Sequence, residues 1–183
     1  MSAAAQEPVS ERLSLPGPIS FGPDTYLLAW SSHPSPGYYK QEYVPVGQTP
    51  EHFRQMVLVE ASVAGSDVEH AVTDQVRWIA KRQSDPLANY AVVGNPKNGE
   101  AILDFLLSSD DPKQEYTVEW NAYRYAPLRG SDGKSGVLLF GISRRAYGDD
   151  AMEFLRSLKS TRPQEIEALA KYPLPQVTLP AHE

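Results

Sequence analysis

The side chains best suited to chemistry in this chain are four histidines, His33, His52, His70 and His182, two of which follow a carboxylate directly, at Glu51-His52 and Glu69-His70. A hydrolytic zinc site needs two histidines on one helix face with a glutamate between them, and no pair here has the His-Glu-x-x-His spacing. Sequence neighbours on a helix point to different parts of its surface, so neither Glu-His dipeptide makes an acid–base couple by itself. Gly133-Lys134-Ser135 carries the last three residues of a phosphate cradle. That cradle also needs a glycine where Leu128 stands and a helix afterwards, yet Val137-Leu138-Leu139-Phe140 reads as a strand, so a hairpin loop is the better reading. Ser143, in Gly141-Ile142-Ser143-Arg144-Arg145, lacks the second glycine of a nucleophile elbow. Asp110-Asp111 precedes Pro112 and Asp149-Asp150 opens a helical stretch, which makes turn and cap duty the default for both pairs. The chain has no cysteine, which removes thiolate chemistry and Cys-based zinc or iron–sulfur sites. The expectation is therefore no catalytic residue, no metal and no cofactor, with an enzyme built on His52 or His70 as the least favoured alternative.

Polar aromatic residues on strands carry more signal. Tyr123 and Tyr125 share a face with Glu119 and Asn121, opposite Val118 and Trp120, and Tyr39, Gln41 and Tyr43 form a second mixed row. Tyrosine offers a large contact area, a hydrogen-bonding tip and little entropy loss, which is why binding surfaces use it. It also suits half-buried positions on any pleated sheet. Arg124 with Arg144-Arg145 adds an anion-contacting patch if their strands are neighbours. The candidate binding residues are thus Tyr39, Tyr43, Tyr123, Arg124, Tyr125 and Arg144.

Alternation places these residues on strands. Thr25 to Ser31, Tyr38 to Val44 and Met56 to Val59 read as extended, with Thr49 and Pro50 placed to cap and start a short helix between the last two. Ser66-Asp67-Val68-Glu69 has the form of a capping box, and Val68, Val72, Val76 and Ile79 recur at helical intervals until Asp85-Pro86. Four strands follow, roughly Asn89 to Val93, Ala101 to Leu107, Tyr116 to Tyr125 and Val137 to Ser143. Their short links imply an antiparallel meander, since parallel neighbours need long crossovers. A helix after Gly148 carries Met152, Leu155 and Leu158, and Thr161-Arg162-Pro163 restarts it as a second short helix. The fold class is α+β, a single twisted antiparallel sheet packing its apolar face against two main helices.

The chain has 183 residues, 41% of them hydrophobic and 22% charged, which suits one domain with a sizeable core. Residues 1–24 form a Pro-rich arm, 25–175 the domain and 176–183 a tail. The net charge is −6 and its basic residues are scattered, the wrong long-range field for nucleic acid. Apolar runs stop at four or five residues, against the roughly 20 that span a bilayer. Ser2-Ala3-Ala4-Ala5-Gln6-Glu7-Pro8 has the small-residue character found after a secretory cleavage site. The expected setting is therefore the periplasm, with the cytoplasm as the alternative.

The line Glu42-Tyr43-Val44-Pro45-Val46-Gly47-Gln48-Thr49, leading into Phe53 and Met56-Val57, resembles a segment of small exported bacterial proteins. The order of elements resembles the PsbP/Mog1-type α-β-α sandwich. The resemblance implies an envelope protein used for binding and transfers no catalytic residue. The functional expectation is a noncatalytic binding protein with a protein partner, of the toxin-inhibitor or immunity type. The alternative is a carrier or sensor of a small ligand.

Overall fold

The computed structural model describes residues 9–109 and 111–180. The expected secretory remnant Ser2–Pro8, Asp110 of the acidic pair and His182 lie outside them. Two antiparallel meanders build one eight-stranded sheet. The first comprises β1 (Ile19–Phe21), β2 (Asp24–Ser35), β3 (Tyr38–Val44) and β4 (Gln55–Ser62); the second comprises β5 (Asn89–Asn95), β6 (Glu100–Ser109), β7 (Thr117–Arg129) and β8 (Ser135–Tyr147). Helix α1 (Val68–Ala80) carries the chain from β4 to the far edge, so the meanders meet where β4 pairs with β8, in the order β1-β2-β3-β4-β8-β7-β6-β5. The sheet curls into a half-barrel. Register shifts in the β2–β3 pair add local twist at one end of it.

The α+β class and the antiparallel sheet with two helices are as expected, but the sheet has two apolar faces rather than one. Along β8, Val137 and Leu139 pack toward α1, whereas Leu138, Phe140 and Ile142 pack toward α2 (Ala151–Lys171). Successive side chains of a strand face opposite ways, so a run apolar at both parities calls for cover on both sides. Each helix supplies one cover.

Local expectations are corrected in four places. The short helix after Pro50 does not form: Thr49 Oγ1 accepts the His52 N–H at 3.1 Å, but Gln48 Oε1 then takes the Arg54 and Gln55 amides and turns the chain straight into β4. The cap of α1 is Asp67, not Ser66, through a 2.8 Å bond from the His70 amide. α2 runs unbroken through Pro163, because Leu155, Leu158, Ile166 and Leu169 on both sides of the proline grip the same core. Pro163 still denies the helix one amide donor.

The fourth correction concerns the arm and tail. Leu13, Ile19 and Phe21 are buried, and β1 lies within the stretch expected to precede the first strand. The segment after α2 returns along the same face, where Leu174, Val177 and Leu179 pack and the Thr178 amide donates to Leu13 O at 2.9 Å.

Candidate functional site

The two tyrosine rows prove to lie on opposite faces. Tyr39, Gln41 and Tyr43 point to the α2 side and are buried. Gln41 Oε1 accepts the Arg12 amide at 2.6 Å, and both Gln41 Nε2 and Tyr43 Oη donate to Leu15 O, at 3.2 and 2.6 Å. Glu11 closes the arrangement by accepting the Leu13 and Leu15 amides, which hold its carboxyl below the usual range against the burial that would raise it. Tyr39 stacks on His33 at 4.3 Å. This row receives the chain's own N-terminal segment, which removes Tyr39 and Tyr43 from the surface for partners.

Arg124 and Arg144 are also spent inside the fold. Arg124 pairs with Glu100 at 2.8 Å and donates to Leu169 O and Tyr172 O, satisfying carbonyls at the C-terminus of α2. Arg144 pairs with Glu165 of α2 at 2.7 Å. Arg145 lies on the other face, bonded to Glu119 and stacked 4.0 Å over the Phe53 ring. The expected anion patch is thus split between two faces, each guanidinium holding its own carboxylate.

On the α1 face the outcome differs, because α1 covers only part of it. Between α1 and the β3–β4 pair lies an open groove of about 430 Å³. Tyr123, Tyr125, Val137 and Leu139 form its floor, Tyr38, Lys40, Glu60 and Ser62 one wall, and Ala71, Asp74, Gln75 and Trp78 of α1 the other. Here Tyr123 is half-buried and Tyr125 is nearly covered. Tyr38, absent from the sequence-derived set, completes the group. Its alternation with Tyr39 was legible; which of the two faces the groove was not.

Glu60 organises the wall. Tyr38 Oη donates to Glu60 Oε2 at 2.5 Å, and Lys40 Nζ stands 3.1 Å from Glu60 Oε1. Burial, and next the Glu60 carboxylate, push the Tyr38 and Tyr125 phenols well above the ordinary tyrosine value; burial and then Glu119 do so for Tyr123. All three therefore stay protonated at physiological pH and act as neutral donors, not phenolate bases. Tyr38 spends its proton on Glu60. Among the described residues, neither the Tyr123 nor the Tyr125 hydroxyl hydrogen-bonds a protein group. Trp78 adds a ring 48% exposed, with the Arg82 guanidinium 5.6 Å from its centroid.

A larger cavity of about 720 Å³ opens on the α2 face between that helix and β5–β7, lined by Leu106, Trp120, Leu155, Leu158 and Ile166. Asp104 links two of its lining residues, accepting Trp120 Nε1–H at 3.1 Å and pairing with Arg162 at 2.5 Å.

The histidines are dispersed. His52 stacks on Tyr147 at 4.2 Å, His33 on Tyr39, and His70 Nδ1 lies 2.8 Å from the capping Asp67 carboxylate. That bond raises the His70 pKa and helps lower that of Asp67. Among the described residues, no group of three or more histidine and carboxylate side chains is placed to hold a metal ion, and no helix is long and apolar enough to cross a membrane.

A protein-family model matches residues 13–174. The chain belongs to that family. The matched span opens at Leu13, the first residue sealed in the core, and closes at Leu174, packed on it, so it takes in the N-terminal segment, both meanders and both helices. No curated protein and no solved structure matches the chain.

Proposed function

We propose that the chain is a binding protein without a reaction of its own, whose groove between α1 and the β3–β4 pair takes a segment of a protein partner. The observation that carries this reading is the pair of hydroxyls on Tyr123 and Tyr125, which point into the groove's floor with no acceptor among the described residues. Both hydroxyls are open to the water of the groove, since neither is among the buried side-chain atoms left without a partner, and a ligand's acceptors can replace that water. Neutral phenol donors beside a carboxylate already occupied by Tyr38 and Lys40 call for acceptors on the incoming molecule, and a polypeptide backbone offers carbonyls in a row. Trp78 and the Tyr123 ring supply contact area of the kind that anchors protein interfaces.

Tyr123→Phe with Tyr125→Phe removes both hydroxyls and keeps both rings, leaving the packing intact. Affinity capture from cell extract is expected to recover a stoichiometric protein with the native chain and to lose it with the double variant. Equal recovery by both, or none by either, contradicts the reading. An inhibitor or immunity role is one form of such binding. The periplasmic setting rests on the Ser2–Pro8 composition alone and is tested by fractionating cells that express the protein from its own gene.

A second reading, a carrier of a small apolar ligand, is supported by the α2-face cavity, whose 720 Å³ falls among the volumes that ligand pockets commonly have. Native mass spectrometry of the purified protein distinguishes it by a co-purifying mass that Leu155→Trp displaces.

A further inference from the structure

We infer that β5 pairs antiparallel with β5 of a second copy about a two-fold axis at Val92, joining two sheets into one across their open edges. The sheet has two ends, and they are built differently. β1 is three residues long, lies between Pro18 and Pro23 and covers only Asp24–Tyr26 of β2; beyond it the edge is the rest of β2, which is interrupted by Pro34. β5 is seven residues long, carries no charge and no proline, and is exposed along its whole length, with Tyr90, Val92 and Val93 at 46%, 44% and 69%. Its inner side is bonded to β6 throughout, and no described strand lies on its outer side. Such a row of free amides and carbonyls is a template for another strand.

The occupant is argued from the residues of β5 itself. With Val92 opposite Val92 of the second copy, Asn89 falls opposite Asn95, Tyr90 opposite Gly94, and Ala91 opposite Val93, each pair occurring twice by symmetry. Nothing charged meets its like, in a chain whose net charge is −6. The tyrosine–glycine pairing already occurs inside this sheet: Tyr123 stands opposite Gly141 across β7 and β8, and the glycine leaves room for the ring. An aromatic ring laid over a cross-strand glycine covers backbone that would otherwise be bare. A two-fold contact uses the β5 edge of both copies, so pairing through this edge stops at two copies and makes no fibre. This inference is independent of the proposed groove.

Sedimentation equilibrium of the native protein over a concentration series tests it. A mass rising to twice that of one chain and stopping there is expected. Val92→Lys and Val92→Glu each place like charges opposite one another and weaken association about ten-fold or more. An equimolar mixture of the two variants restores the dimer, and Val92→Thr keeps it. Val92 is on an exposed edge, so the variants fold, which circular dichroism checks. A native mass of one chain at every concentration, assemblies beyond two, or charged variants that dimerise like the native chain overturns the inference.

Discussion

The ring of Tyr123 lies across Gly141, its partner in the β7–β8 pair, so closely that a Cβ at Gly141 would stand 2.7 Å from Tyr123 Cδ1 and 3.0 Å from Leu58 Cγ. The floor of the α1-face groove is set by this one missing methyl group. A central strand rarely gives up side-chain packing, and here the loss leaves the room that the Tyr123 ring occupies.

Gly141→Ala is therefore expected to destabilise the protein by about 1–3 kcal/mol through overpacking. The double variant with Tyr123→Leu should recover part of the loss, because the clash goes with the ring. Urea denaturation of the two single variants and the double variant gives the coupling. Additive losses would show that Tyr123 does not rest on Gly141.

Glu42 is half-buried on the α1 face, two residues beyond Lys40, and among the described residues no hydrogen bond or ion pair reaches its carboxylate. Burial raises its pKa, Lys40 opposes this, and Glu60 adds to it. The native state then holds the extra proton above the ordinary glutamate value of about 4.3, so this group's contribution to stability falls as pH rises through that window. Glu42→Gln should raise the melting temperature at pH 7 by about 2 °C, a shift that for this chain length corresponds to under 1 kcal/mol, and the gain should vanish below about pH 4. A lower melting temperature at pH 7 would contradict the sign.

Asp85 secures the loop between α1 and β5 to the end of β6. It accepts the Ser108 amide at 2.8 Å, the Ser108 hydroxyl at 2.6 Å and the Leu87 amide at 3.0 Å, with Arg82 alongside at 3.2 Å. Burial would raise its pKa, but the Ser108 bonds outweigh that and hold it below the ordinary value. Its contribution is present above the unfolded value of about 3.9 and is lost as pH falls through the lower native one. Asp85→Ala should cost about 2–4 kcal/mol at pH 7, since it strands buried donors, and the difference should narrow in acid. Equal stability of variant and native protein at pH 7 would count against this account.

Much of the scaffold was legible in the sequence because alternation and helical spacing are local. The meander from Asn89 to Tyr147 and the apolar stripe Val68, Val72, Val76 and Ile79 follow from periods that neighbouring residues set among themselves. The tyrosine rows show where local reading ends. Tyr38 and Tyr39 both suit a strand, and the pairing of β4 with β8, 75 to 89 residues apart in the chain, decides which faces α1 and which faces the N-terminal segment. Pro163 misled for a related reason: its penalty is local, whereas the grip of Leu155, Leu158, Ile166 and Leu169 on the core is not. Arg124 and Arg144 looked free because Glu100 and Glu165 reach them only through the sheet and α2.

The account depends most on the groove between α1 and the β3–β4 pair being occupied by a protein in the cell. A photo-crosslinking residue in place of Trp78, which the fold leaves exposed on the groove's rim, tests this most directly. Irradiation of living cells should give one discrete adduct, identified by mass spectrometry as a single protein, and the adduct should disappear when Tyr123→Phe and Tyr125→Phe are added. The same residue placed at Thr73 should give none, because Thr73 is exposed on α1 and does not line the groove. No adduct at position 78, or one that persists after the hydroxyls are removed, would contradict the central claim.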